Sequence, residues 1–366
     1  MTTAPAPAPT RAPSRAPQSL TSGHLPAWSP WALLAATLAL SGAIFGVLGI
    51  ASPDGFNVAG WIITAVLGFL VLIYVISRVV EGARRALDRL ITGIVTCAFA
   101  IAMVPLVSVA WTVVSNGIAR FDAQFFSWTM RGVLGEGGGA LHAIIGTVSI
   151  TLTAAIISVP IGLMTAIYLI EYGQEKRLAR AITFLVDVMT GIPSIVAGLF
   201  AYALFALIFG PGVRMGFAGA IALSVLMIPV VVRSSEEMLR LVPNELREAS
   251  YALGVPKWLT VVKVVLPTSI AGITTGVMLA IARVIGETAP LLITAGFTDA
   301  MNYNLADGRM QTLPVFIYSQ YAYKGIPPEA YVDRAWAAAL TLILIVMVLN
   351  LVARIVAKVF APKFGR

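Results

Sequence analysis

An all-α polytopic membrane protein with eight transmembrane helices is the fold class that the sequence predicts, and three observations carry it. Of the 366 residues, 58% are hydrophobic and only 11% are charged, where a soluble globular domain carries about 25% charged residues. The apolar residues fall in runs of roughly 20 or more, the length that crosses a bilayer core of about 30 Å. Lys and Arg alternate in density from one connection to the next. In lipid, every backbone polar group must be satisfied within the segment, so such runs are helices.

Residues 1–30 are rich in Ala, Pro, Thr and Ser (MTTAPAPAPTRAPSRAPQSL). Nothing in them can bury a core, and they are expected to form a disordered tail. Two arginines in a proline-rich stretch, followed by a long apolar run, do not make a signal peptide. The predicted spans are 31–50, 57–77, 91–114, 142–170, 183–209, 217–232, 268–297 and 335–360. Trp31, Trp61, Trp111 and Trp336 sit near span ends, where indole suits the headgroup boundary. With both termini in the cytoplasm, the cytoplasmic segments hold 18 basic residues and the external loops 6. That bias supports an N-in, C-in, multi-pass arrangement in the cytoplasmic (inner) membrane. It also explains the net charge of +8 without nucleic acid as a partner. Cys97 is the only cysteine, and His24 and His142 are the only histidines. This set allows no intrachain disulfide and suggests no metal site.

Two loops stand out by length, the cytoplasmic 233–267 and the external 298–334. The cytoplasmic loop contains EASYALGVPKWLTVVKVVLP from Glu248. It reads as a short helix, a glycine break and a second helix. Pro243 can open the first helix, because its missing N–H is not needed there. Gly254 permits the left-handed turn that closes that helix. Pro256 can open the next segment, and Pro267 marks the return to the membrane. A small helix across the cytoplasmic face is shaped to enter a groove on a partner. The chain has no Gly-x-x-x-x-Gly-Lys-Ser/Thr phosphate loop, so any nucleotide chemistry is assigned to another polypeptide.

The seventh span, TSIAGITTGVMLAIARVIGETAPLLITAGF, places Arg283 near mid-membrane and Glu287 four residues later. Each ionisable group costs about 2.5–3.5 kcal/mol at the bilayer centre on insertion scales. A spacing of four puts both on one helix face, where they can pair. Gly286 and Pro290 allow a kink beside them, and Thr288 adds a hydroxyl. Two roles fit these residues. An arginine presents a fixed fork of donors suited to a tetrahedral oxyanion, or the pair locks two helices together. The fifth span carries DVMTGIPSIVAGLF, residues 187–200. A helix restarting after Pro193 would aim its positive end into the membrane interior, with Ser194 nearby. A packing kink fits the same residues. Asp187 is placed nearer the cytoplasm, at an interface. The hydroxyls of Thr147, Ser149, Thr151, Thr153 and Ser158 in span four serve either a pathway or helix contacts.

The 248–267 segment resembles the signature loop of ABC importer permeases, E-A-A, three residues, G, nine residues, I-x-L-P. Glu248, Ala249, Gly254, Leu266 and Pro267 match it, with Ser250 for the second alanine and Val264 for isoleucine. The run R-V-I-G-E-T-A-P-L, Arg283 to Leu291, resembles phosphate-specific permeases, their A subunit more than its C partner. The resemblance implies a six-helix type I ABC importer core over about 91–360, with a coupling helix within 244–256 that sits in an ATPase cleft. It leaves a disordered tail 1–30 and an extra two-helix unit 31–90 ahead of a core 91–366. It implies that Arg283 and Glu287 are needed for phosphate passage, with Thr288 and Ser194 as candidates along the path. It further implies a homologous permease partner, an ATPase dimer that carries the ATP and Mg, and an extracytoplasmic phosphate-binding protein received by loops 115–141 and 298–334. The chain itself would be no enzyme and hold no cofactor, with membrane lipid around it. Import of another oxyanion or polar solute, ion-coupled secondary transport, and a non-transporting sensor are the alternatives.

Overall fold

The computed structural model describes residues 23–50, 56–173 and 176–360. Most of the expected tail, residues 1–22, lies outside the described residues. Within them every regular element is helical. Seven helices are long and apolar enough to cross a membrane, or eight if one bent pair is a single span.

The chain packs as two units, 1–109 and 110–366. The first unit holds α1 (Ser29–Ile50), α2 (Val58–Val80) and most of α3 (Ala83–Gly117). α1 and α2 form an antiparallel hairpin in which the Trp61 indole N–H donates to the Leu38 carbonyl at 2.9 Å. Asn57 caps α2 through its side chain, accepting from the Gly60 N–H at 2.8 Å. At the turn into α3, Glu81 accepts from Arg89 Nε at 2.6 Å and Nη2 at 2.8 Å, from the Ser77 hydroxyl at 2.7 Å and from the Leu25 N–H at 2.8 Å. These hydrogen bonds, those from Arg89 first, hold its carboxyl down at about 2 against the opposing cost of burial. The division between units falls inside α3.

The second unit is organised around α8 (Gly216–Arg240), flanked by α5 (Leu141–Ile167), α7 (Ser194–Phe209), α11 (Leu266–Val284) and α12 (Ala289–Thr294). Small residues line α8, among them Gly216, Ala218, Gly219, Ala220, Ala222 and Ser224. They let neighbouring backbones approach, as packing between apolar helices in lipid requires. The core gathers Ile150, Leu223, Met227, Val231, Val284 and Leu291. A second cluster joins Phe125, Leu313 and Phe316 to Ala337 and Ala338 of α14 (Pro328–Phe360).

The structure refines the sequence expectation at four places. α8 continues to Arg240 and the next long helical run starts at Lys257, so the break within 233–267 is shorter than its charge suggested. The fifth run is not straight: α6 (Arg177–Thr190) and α7 meet at 110°. Gly191 and Pro193 cause this, since proline removes a helical donor and clashes with the preceding turn. The seventh run is not one helix. α11 ends at Val284 and α12 begins at Ala289. Pro290 cannot donate to the carbonyl of Gly286, and Gly286 weakens the same turn. Finally, the long connection 298–334 contains α13 (Leu313–Ala322), whose Leu313, Val315 and Phe316 are fully buried. This connection packs into the unit: the Thr147 hydroxyl accepts from the Leu313 N–H at 2.7 Å, and a methyl on Gly146 would stand 2.0 Å from the Gln311 carbonyl oxygen.

Candidate functional site

Two interrupted helices meet in the second unit. α7 starts just after the 110° bend, and α12 starts just after the end of α11. Gly198 of α7 lies against Pro290 of α12 so closely that an added Cβ would be 2.6 Å from the Pro290 Cα. Only glycine permits that approach of two backbones. The early turns of two half-helices are thereby brought together, and helix starts carry unpaired N–H groups and partial positive charge. The sequence separation, span five against span seven, concealed this contact.

Arg283 occupies the last turn of α11 and is exposed on this chain. A cation is favoured there by the unpaired carbonyls of the helix end. Glu287 and Thr288 fall in the break and are half-buried; the Glu287 N–H donates to the Val284 carbonyl at 3.1 Å. The expected pairing of Arg283 with Glu287 on one helix face is corrected by this geometry. The helix ends between them, and among the described residues the ion pairs are Arg89–Glu81, Arg120–Asp122, Arg233–Asp187, Arg233–Glu236 and Arg247–Glu171. Arg283 is therefore left available to something outside the chain. Ser194 begins α7 and is half-buried. Asp187, expected at an interface, pairs with Arg233 of α8 and remains exposed.

The coupling residues occupy α9 (Asn244–Ala252), α10 (Lys257–Thr260) and the start of α11. Pro243 and Pro256 stand immediately ahead of α9 and α10. Gly254 has φ +76°; its N–H donates to Tyr251 at 2.9 Å, and the Val255 N–H to Ser250 at 3.2 Å. That is the paired hydrogen bonding of a Schellman closure, which a left-handed glycine makes possible. Glu248, Ala249 and Gly254 are exposed. Leu266 is half-buried against Ala166, Leu239 and Val242, whereas Pro267 is exposed. Pro267 does not start the helix; α10 and α11 are continuous through a π-helical turn, Val261–Val265. The wider turn lies just ahead of the proline, where an α-helix would lose a bond.

Three features lay beyond sequence reasoning. Glu171 and Arg247 form an ion pair at 2.9 Å, and the Ser250 and Thr260 hydroxyls meet at 2.8 Å, closing α9 onto α10. Ser250, a departure from the signature pattern, thus has a bonding role. Arg334 is 1% exposed and donates to Gln320 and to the carbonyls of Gly135 and Gly137. Partners separated by as many as 199 residues leave no local signal; only the charge of each residue was visible.

A model of the binding-protein-dependent transport system inner membrane component family matches residues 158–366. Phosphate transport system permease protein PstA 1 of Mycobacterium tuberculosis is 46% identical over 285 residues, covering 77% of this chain and 92% of that protein. PstA of Mycobacterium leprae is 46% identical over 282 residues, covering 76% of this chain and 90% of its own. A solved chain of the MetNI methionine ABC transporter, in inward-facing conformations, has a TM-score of 0.51 at 20% identity, covering 61% of this chain and 96% of that one; this likeness is one of fold. The chain belongs to the binding-protein-dependent transport system inner membrane component family and, within it, to the phosphate transport system permeases of the PstA type.

Proposed function

We propose that this chain passes inorganic phosphate across the cytoplasmic membrane as one permease subunit of an ABC importer, with energy supplied by a separate ATPase. The observation that carries the proposal is the unpaired Arg283 at the end of α11, just ahead of the break that leads into the α7–α12 junction. A planar fork of donors at such a junction matches a tetrahedral oxyanion. The curated relatives' names supply the phosphate. Thr288, Ser194 and Glu287 are the neighbouring groups along the path. Glu287 either accepts a proton-bearing phosphate oxygen or holds the guanidinium between passages.

A homologous permease subunit faces this chain and completes the path around Arg283. An ATPase dimer, carrying ATP and Mg, receives α9 through Glu248, Ala249 and the Gly254 turn. An extracytoplasmic phosphate-binding protein docks on the opposite side. The excess of basic residues on alternate connections supports a cytoplasmic position for both termini and α9.

The test is uptake in proteoliposomes holding the full complex, with ATP inside and labelled phosphate and binding protein outside. The expected result is ATP-dependent accumulation that excess phosphate suppresses and sulfate or molybdate does not. Equal suppression by sulfate would replace phosphate with another oxyanion. Accumulation without ATP would replace the ABC reading with ion-coupled transport.

A further inference from the structure

The helix assigned to the ATPase cleft is attached to the membrane helices by very little. Of the nine residues of α9, only Ser250 is buried. Its apolar contribution to the unit is therefore small. Besides the Ser250–Thr260 contact with α10, one side chain ties α9 to other helices. Arg247 donates through Nε at 3.0 Å and Nη2 at 2.9 Å to Oε1 of Glu171. Its Nη2 also donates to the Leu239 carbonyl at 3.0 Å, and its Nη1 to the Val242 carbonyl at 2.6 Å.

These partners lie on different elements. Leu239 and Val242 are at the end of α8, both buried. Glu171 lies in a π-helical turn, Tyr168–Tyr172, that extends α5, and it is 5% exposed. Such turns are irregular points in an otherwise regular helix and are frequent at functional positions. Arg247 thus ties α9 to the ends of α5 and α8 simultaneously. α5 and α8 pack along each other through the core that also holds Val284 and Leu291, on either side of the Arg283 break. Beside the bridge lies a cavity of about 470 Å³ lined by Leu169, Glu171, Arg240, Tyr251 and Lys257, which leaves room for the linked parts to shift.

We infer that the Glu171–Arg247 bridge is the linkage through which movement of α9 reaches α5, and that both are positioning residues for coupling rather than contacts to phosphate or to the ATPase. The inference rests on the assignment of α9 to the ATPase. A buried ion pair suits this task because its geometry is fixed by several hydrogen bonds, and neither charge is easily left alone.

The experiment compares phosphate moved per ATP hydrolysed in reconstituted wild-type complex, Glu171→Gln and Glu171→Asp. Glutamine keeps the volume and removes the charge, and Arg247 retains the Leu239 and Val242 carbonyls, so α9 stays on α8. Aspartate keeps the charge and loses a methylene. The expected result is full assembly, with the ratio down about tenfold in Glu171→Gln, a change of about 1.4 kcal/mol, and recovered to within about threefold in Glu171→Asp. A merely structural role would lower the yield of complex and leave the ratio alone. A wild-type ratio in Glu171→Gln, or equal loss in both variants, overturns the linkage. Should Glu171→Gln fail to assemble, Arg247→Lys is measured instead; it keeps the charge and loses the fork, and a wild-type ratio there also overturns it. Failure of the underlying reading looks different: ATPase binding would then survive Gly254→Asp.

Discussion

α3 and α8 are both long apolar helices, yet they do opposite things with their surfaces. In the most apolar 18-residue window of α8, 67% of residues are buried, against none in that of α3. α8 carries closely spaced small residues in its first half, and α5, α6, α7, α11 and α12 all pack against it. α3 presents Val95, Phe99, Ile101, Val104, Leu106 and Trp111, all exposed. The two most buried of the long apolar helices, α8 and α5, belong to the second unit, and α1 and α2 of the first are only 11% buried. Hydropathy alone makes these helices equivalent, because lipid is as good a solvent for leucine as another helix is. Small residues, not hydropathy, mark the helix that packs on many neighbours. The comparison predicts that substitutions in 110–366 abolish or uncouple transport, whereas substitutions in 1–109 leave it standing.

The largest effect is expected at Arg283. Arg283→Gln removes the charge and leaves a shorter polar side chain on an exposed helix end, so folding is spared. Uptake should fall by more than about a hundredfold, equivalent to about 2.7 kcal/mol of barrier, with the complex still purified at the wild-type amount. Retention of half the uptake would remove Arg283 from the path and blur the distinction between the units.

Packing at the half-helix junction should come next. Gly198→Val forces a branched side chain into a contact where even a methyl stands 2.6 Å from the Pro290 Cα. Overpacking of this kind costs about 1–3 kcal/mol. The expected outcome is a complex of lower thermal midpoint and uptake reduced about tenfold. A matched glycine substitution at Gly46, where an added Cβ meets nothing within 4 Å, should change neither. An unaltered Gly198→Val midpoint would mean that α7 and α12 are not held together in the assembly. At α9, Gly254→Asp places a Cβ in the left-handed region, at a cost of about 1–2 kcal/mol. ATPase retention on the permease should weaken several-fold in pull-down, and wild-type retention would contradict the docking assignment.

Much of this contrast could be read from residue order. The apolar runs, the Gly254 closure and the Pro193 interruption each depend on local chemistry, and each appears in the structure. The Arg283–Glu287 spacing misled for a physical reason: i to i+4 pairing assumes a continuous helix, and Gly286 with Pro290 ends that helix between the partners. Gly191 and Pro193 announced a break but not its angle or the packing of α7 on α12 beyond it. The Glu171–Arg247 bridge joins residues 76 apart, and no periodicity reports on such a distance. The exposure of α3 was also hidden, because side-chain hydropathy does not say which apolar surface a helix will meet.

The smallest effect on transport, and the sharpest test of the first unit, is expected at Glu81. Its carboxyl is held at about 2, chiefly by the hydrogen bonds from Arg89. A carboxylate whose pKa is lower in the folded state stabilises that state above its unfolded value, roughly 4.5, and loses the contribution as pH falls toward the folded value. The turn between α2 and α3 should therefore keep its protection from hydrogen exchange down to about pH 4.5 and lose it progressively toward about pH 2. Glu81→Gln should abolish this acid transition, because the amide does not titrate and cannot accept the Arg89 fork with the same strength. Uptake by Glu81→Gln complex at neutral pH should stay within about twofold of wild type, a difference of about 0.4 kcal/mol. A tenfold loss of uptake, with the complex intact, would show that the first unit participates in transport, and the difference between α3 and α8 would then lie in what covers them rather than in what they do.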